Sequence, residues 1–244
     1  VNANGSAPTG GTAGALDTPV DGNRDLVRTQ LAILQCPSCP VQNRIQDKID
    51  STARKTGACT DYFLVAGTGS SFNTLLTSGS VAVGPGVTEE WSGCGASAKR
   101  PKVTLAKITD GTSKTILLAE CAGREDVWRE KTRYEANADD VSGNAKCARA
   151  RGGAWATNDN AYAFGDSLVS GCTKASSSTT GAIPTALYKV NGSNEWGWLM
   201  YGFHSGGANV AMADGSVQGV SENTSVLTLG QLATRAGGEA ASLD

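Results

Sequence analysis

The sequence predicts an α+β domain built on a twisted antiparallel sheet with long loops and a short C-terminal helix. Three observations carry this. The first is the stretch Trp196–Val217, in which an apolar run to Phe203, a Ser205-Gly206-Gly207 turn, a small apolar run from Ala208 to Ala213 and an Asp214-Gly215 turn signal follow one another as a three-strand meander would. The second is Ser225–Arg235, whose apolar positions Val226, Leu227, Leu229 and Leu232 fit one helix face, with Gly237-Gly238 in place to cap its end. The third is composition: 31 glycines with abundant Ser, Thr and Asn in 244 residues favour short strands and long loops within one sizeable domain.

Taken in order, residues 1–22 hold Gly, Ala, Thr, Ser and Pro with little apolar bulk and are expected to be a flexible segment ahead of a single head over 23–244. A helix is expected from Asn23, with Leu26, Val27, Leu31 and Leu34 on one side and Pro37 at its end. Residues 41–58 are polar and charged, a surface excursion in which Ile45 and Ile49 permit one helical turn. Tyr62–Ala66 is a short apolar strand, and 67–95, rich in Gly, Ser, Thr and Val, reads as loops with weak strands. Val103–Leu105 alternates, Asp110-Gly111 turns, and Thr115–Ala119 is a second strand. Residues 123–195 form a loop-rich excursion that is charged over 123–150 and, over 170–181, a Ser/Thr/Gly tract.

Charge is nearly balanced, with 21 basic and 23 acidic residues and no concentrated basic cluster, so nucleic acid is excluded as a partner class. No basic amphipathic segment marks a membrane-surface helix. Seven cysteines, at 36, 39, 59, 94, 121, 147 and 172, are many for a cytosolic chain of this size and suit disulfides in an oxidising compartment. Cys36 and Cys39 form the one C-x-x-C. A thiolate zinc site would need partners from distant loops, and a thioredoxin-like motif lacks its surrounding βαβ pattern.

The single histidine, His204, stands ten residues ahead of Asp214. With a six-residue strand between two turns, the pair would be about 20 Å apart and unable to act as a dyad. The expectation is that His204 caps a turn and that Asp214 opens a tight one in which Gly215 takes a positive φ. Asp110, followed by Gly111, is expected to bond its own backbone in a turn. Glu120 with Glu125 and Asp126 offers acids of the kind glycoside cleavage uses, although solvated surface is the default. Trp196, Trp198 and Met200 alternate along one strand face, either packed under the sheet or exposed to stack on sugar rings. Asn158-Asp159-Asn160 supplies hard oxygen donors that suit calcium, or an Asx-rich turn. One histidine at a turn yields no nucleophile, base and orienter, so no catalytic residue is assigned and the chain is expected not to be an enzyme.

These stretches also carry a resemblance. His204, nine residues and Asp214-Gly215, followed by Leu229–Ala233 and Thr234–Glu239, resembles the prepilin-associated H-X9-DG family of planctomycetes, DUF1559, which has also carried a solute-binding-protein label. Cys36-Pro37-Ser38 resembles the family's Cys-Pro-Ser-Asp-Pro, with Cys39 where Asp is usual. Ile108–Thr115 with Glu120 resembles its Ile-Thr-Asp-Gly-Thr-Ser-Asn-Thr segment, and Arg151–Trp155 a stretch that leads into a strand. The resemblance implies a pilin-like head, exported to the cell surface, periplasm or exterior, that associates with itself or with other pilin-like subunits in a filament. The broader pseudopilin class binds calcium. The chain begins at Val1 and holds no apolar run near the ~20 residues of a membrane span, so the expectation is that a membrane would be met through an N-terminal helix that this chain lacks. The alternative function is an extracellular module that binds a polysaccharide or other surface ligand through exposed aromatics.

Overall fold

Period-two alternation along Tyr62–Thr68 (β3) sends Phe63 and Val65 to one face, and in Ile116–Glu120 (β4) a register shift between Ile116 and Leu118 lets Ile116 and Ala119, three apart, both be buried in the same core. The computed structural model describes residues 26–46, 57–88, 103–124, 126–133, 153–156, 160–165, 189–194, 200–239, 241 and 243. Ahead of β3, Ile45–Gln46 (β1) and Gly57–Ala58 (β2) form a small antiparallel ladder, and after it comes the helix α1, Ser70–Ser78. Beyond β4 lie a hairpin of Trp128–Arg129 (β5) and Thr132–Arg133 (β6), then Ala161–Phe164 (β7), Gly207–Met212 (β8), Val217–Ser221 (β9) and the helix α2, Val226–Ala233. The main sheet runs β7-β3-β4-β8-β9. The architecture is α+β.

Four of the five main strands pair antiparallel, and β7 joins β3 in parallel at one edge. The inner face is covered by Phe72 and Leu76 of α1 and by Leu229, Leu232 and Ala233 of α2, one continuous core with Phe63, Val65, Ile116, Val210 and Met212. Phe63 stacks on Tyr162 at 3.9 Å between ring centroids and meets Phe164 edge-on. The guanidinium of buried Arg124 lies over both rings of that stack, and Arg124 donates to the Tyr162 hydroxyl at 3.3 Å. The helices touch where Gly230 faces Leu76: a Cβ at 230 would stand 2.3 Å from the Leu76 Cδ2 atom, so a glycine occupies this helix interior in spite of its low propensity. Ser225 caps α2 by accepting from the Leu227 N–H at 3.2 Å.

Several expectations are corrected. The segment after Asn23 does not continue as a helix: Leu26-Val27 is helical, Leu31 is extended, and Ala32–Leu34 is a single 3-10 turn. Tertiary donors take the carbonyls such a helix would use, with Trp155 Nε1 on Thr29 and the Asp61 N–H on Leu34. Ile45 lies in a strand and not in a helical turn. Residues 70–78, expected as loop, form α1 because Phe72 and Leu76, four apart, share a face that the core buries. Leu105–Lys107 is a 3-10 turn. The first strand of the meander is replaced, in its described part, by a parallel bridge from Tyr201 to Cys121, whereas the β8–β9 hairpin stands as expected. The expected disulfides do not appear among the described residues, where Cys36, Cys39 and Cys121 are buried free thiols and Cys59 is buried as well. Cys94, Cys147 and Cys172 lie outside the described residues.

The opposite face of the sheet carries Tyr62, Leu118, Asn209, Ala211 and Val217, walled by Ile33, Leu34 and Trp155 into a groove of about 490 Å³. Ile33 is 86% exposed and Val217 71%, so this apolar face opens to solvent. No helix among the described residues is long and apolar enough to cross a membrane.

Candidate functional site

His204 precedes β8 and Asp214 follows it, so the two stand at opposite ends of that strand. At the Asp214 end the chemistry is local. Its Oδ1 accepts from the Ser216 N–H at 2.9 Å and from the Ser216 hydroxyl at 2.7 Å, and these bonds hold the carboxyl below the usual carboxylate range. Gly215 sits at φ 87°, the left-handed region that the turn requires and that glycine tolerates. The Asp214 N–H reaches back to Thr112 O at 3.1 Å and the Ala213 N–H to Thr115 O at 2.8 Å, which ties this turn to the one after Asp110-Gly111.

Asp110 does not bond its own turn. Its carboxylate accepts from the Gly237 N–H at 2.6 Å and the Gly238 N–H at 2.8 Å, while the Thr109 N–H donates to Arg235 O at 2.8 Å. The two glycines after α2 are thus a seat for a carboxylate, and Arg235 continues the connection by donating from its guanidinium to Gly86 O at 2.8 Å. Gly111, at φ 101°, sets the bend that aims Asp110 at them.

The His204 end differs in kind. The imidazole bonds neither turn nor strand backbone: its Nε2 lies 3.0 Å from Glu120 Oε1 and 3.4 Å from Cys36 Sγ, and its Nδ1 lies 3.2 Å from Ser38 Oγ. This corrects the expectation of a turn-capping histidine. It also corrects Glu120, which is fully buried at the end of β4 and not on a solvated surface. Its second oxygen accepts from the Asn209 N–H at 2.8 Å. Ligand atoms of Cys36, Glu120 and His204 all lie within 4.8 Å of one another.

Each side chain is delivered by a different element. Glu120 ends β4, beside Tyr62 of β3 in register. His204 is carried by the Tyr201–Gly206 loop, which the Tyr201 N–H fixes to Glu120 O at 2.9 Å. Cys36 enters on a turn closed by the Cys39 N–H to Cys36 O at 3.1 Å, and its own N–H donates to Asp61 Oδ2 at 2.8 Å. Asp61 is fully buried, accepts from the Gly123 N–H at 3.0 Å and pairs with Arg44, which in turn donates to Arg124 O at 2.7 Å and to Cys39 Sγ at 2.9 Å. Burial, then the hydrogen bond to Glu120, pushes the Cys36 thiol up to about 12, so it holds its proton at neutral pH. Burial raises Cys39 as well.

Cys36 and His204 were singled out as motif residues, and Glu120 as an acid within a resembling stretch; what was missed is that the three meet. Of the other candidates, Trp196, Trp198, Asn158, Asp159 and Glu125 lie outside the described residues. Asn160 borders the apolar groove with a buried Oδ1, and Asp126 accepts from Arg133 on the β5–β6 hairpin. Met200 is buried in the core. No curated protein and no solved structure matches the chain. A family model described as "Protein of unknown function (DUF1559)" matches residues 5–226. With most of its length matched, and with the Cys36, Asp110 to Glu120 and His204 stretches knitted together in one fold, the chain belongs to the DUF1559 family.

Proposed function

We propose that the protein is an exported, pilin-like structural subunit, not an enzyme, whose head assembles with copies of itself or with related subunits in a surface or secretion-associated filament. The observation that carries this is the two-faced sheet. One face is sealed by α1 and α2, and the other presents an apolar groove rimmed by Ile33 and Val217 that an apolar segment of a neighbouring subunit would bury. His204 does not support hydrolysis, since its Nε2 faces thiol and carboxylate together instead of standing between a nucleophile and an orienter.

Sedimentation across a wide concentration range, with electron microscopy of the concentrated protein, tests the assembly. The native chain is expected to self-associate, and the rim substitutions Ile33→Glu and Val217→Lys to keep it monomeric with unchanged circular dichroism. A native chain that stays monomeric at every concentration would overturn the reading. The second reading, an extracellular binding module, is favoured by the size of the groove, which falls in the range of ligand pockets, and by Tyr62 and Trp155 in its lining. A monomer whose Trp155 fluorescence responds to a soluble glycan would establish it. Calcium at residues 158–160 belongs to the same proposal, checked by melting with added calcium and with a calcium-selective chelator.

A further inference from the structure

From the convergence of Cys36, Glu120 and His204 at the end of β4, we infer that the protein holds one zinc ion there, bound by Sγ, a carboxylate oxygen and Nε2, with a fourth position open to water. Three independent features point to a cation.

The first is direction. In a catalytic Cys/His arrangement one ring nitrogen meets the thiol and the other meets the orienting group. Here thiol and carboxylate both approach Nε2, at 3.4 and 3.0 Å, so three donor atoms aim at a shared point. Zinc bonded tetrahedrally at about 2.0–2.3 Å separates neighbouring N, O and S ligands by about 3.3–3.6 Å. The observed spacings need to adjust by only a few tenths of an ångström around His204.

The second is support. Ser38 Oγ sits 3.2 Å from Nδ1, the Asn209 N–H holds the free carboxylate oxygen at 2.8 Å, and the Cys36 N–H is held by buried Asp61. Metal sites use such outer contacts to fix tautomer and ligand orientation. The third is access. On binding, the thiol proton leaves to solvent, the S–Zn, N–Zn and O–Zn bonds form, and no electron moves. His204 keeps 32% of its side-chain surface exposed, which leaves an entry path and room for the water. A sulfur, nitrogen and oxygen set suits zinc and not calcium or magnesium. The inference stands apart from the assembly proposal, since a monomer would bind the ion equally well.

The test is titration of chelator-treated, intact protein with zinc, alongside cobalt as a spectroscopic substitute. One zinc per chain is expected. Cobalt should give a thiolate-to-metal charge-transfer absorption in the near ultraviolet that Cys36→Ser removes. His204→Gln and Glu120→Gln should each weaken zinc by more than about 100-fold, and Ser38→Ala by about 10- to 100-fold. Circular dichroism checks folding; if Glu120→Gln unfolds, the surface-accessible His204→Gln carries the test. No stoichiometric zinc in the folded protein would overturn the inference. So would zinc retained by both Cys36→Ser and His204→Gln, or cobalt bound without the thiolate band.

Discussion

The two ends of β8 use the same chemical materials for opposite purposes. At the Asp214 end, and in the adjoining Asp110 clamp, carboxylates spend their oxygens on backbone N–H groups and on a neighbouring hydroxyl: Ser216 for Asp214, Gly237 and Gly238 for Asp110. At the His204 end, Glu120 gives one oxygen to backbone and turns the other toward an imidazole and a thiol. A carboxylate whose bonds go to its own turn or to distant main chain acts as a staple. A carboxylate held from behind and aimed at other donors is preorganised for one. Both kinds lie in stretches through which the chain resembles its family, so a motif's presence alone does not tell staple from site.

Perturbing what lies beneath the His204 end should have the largest effect. Arg44→Ala would leave Asp61 buried without its cation and cost about 3–5 kcal/mol, the scale of breaking a buried ion pair from one side. Urea denaturation would measure it. Because Asp61 also holds the Cys36 N–H, the same variant should loosen the cluster; a loss below about 1 kcal/mol would mean the pair is not structurally coupled to it.

The staple end should respond next. Asp110→Ala removes two hydrogen bonds to a charged acceptor and unpins the chain after α2, at an expected cost of about 1.5–3 kcal/mol. The decisive companion measurement is zinc titration of the same variant, which should be unchanged. His204→Gln should do the reverse, costing about 1 kcal/mol in the metal-free protein because an amide donor still reaches Glu120, while it weakens zinc binding by more than about 100-fold. Equal effects of both variants on stability and on binding would erase the distinction between the two ends.

How far the sequence foretold this follows from the range of each contact. The β8–β9 hairpin was legible because Asp214-Gly215 sits between alternating runs, and α2 because its cap, apolar face and following glycines are contiguous. α1 was missed although Phe72 and Leu76 carried the period, since Gly, Ser and Thr around them read as loop. Asp110 and its partners are 127 and 128 residues apart, and nothing local distinguishes an Asp that bonds its own turn from one that bonds a distant glycine pair. Cys36 and His204 are 168 apart and Glu120 and His204 84. Their meeting depends on the register of β4 with β3 and β8 and on Asp61 seating the Cys36 turn. The one available signal was that a thiol, a carboxylate and an imidazole each stood in a separate resembling stretch.

The smallest expected effect probes the loop that carries His204 from its far side. Asn191 is buried, accepts from the Gly202 N–H at 2.7 Å and donates to Gly207 O at 3.2 Å, so it spans the two ends of that loop. Its amide also donates to Glu222 at 2.8 Å. That bond, followed by Lys131, holds the Glu222 carboxyl below its ordinary value. A carboxyl lowered in the folded state adds stability above its unfolded value of about 4.3 and loses it as pH falls through the folded one. Glu222→Gln resembles the protonated carboxyl, so the native chain should melt slightly higher than the variant at pH 7, with the gap closing as pH falls below about 4. Melting curves of the two chains from pH 7 to pH 3 measure it. A gap that persists unchanged through the acid range would show that Glu222 contributes through packing and not through its charge.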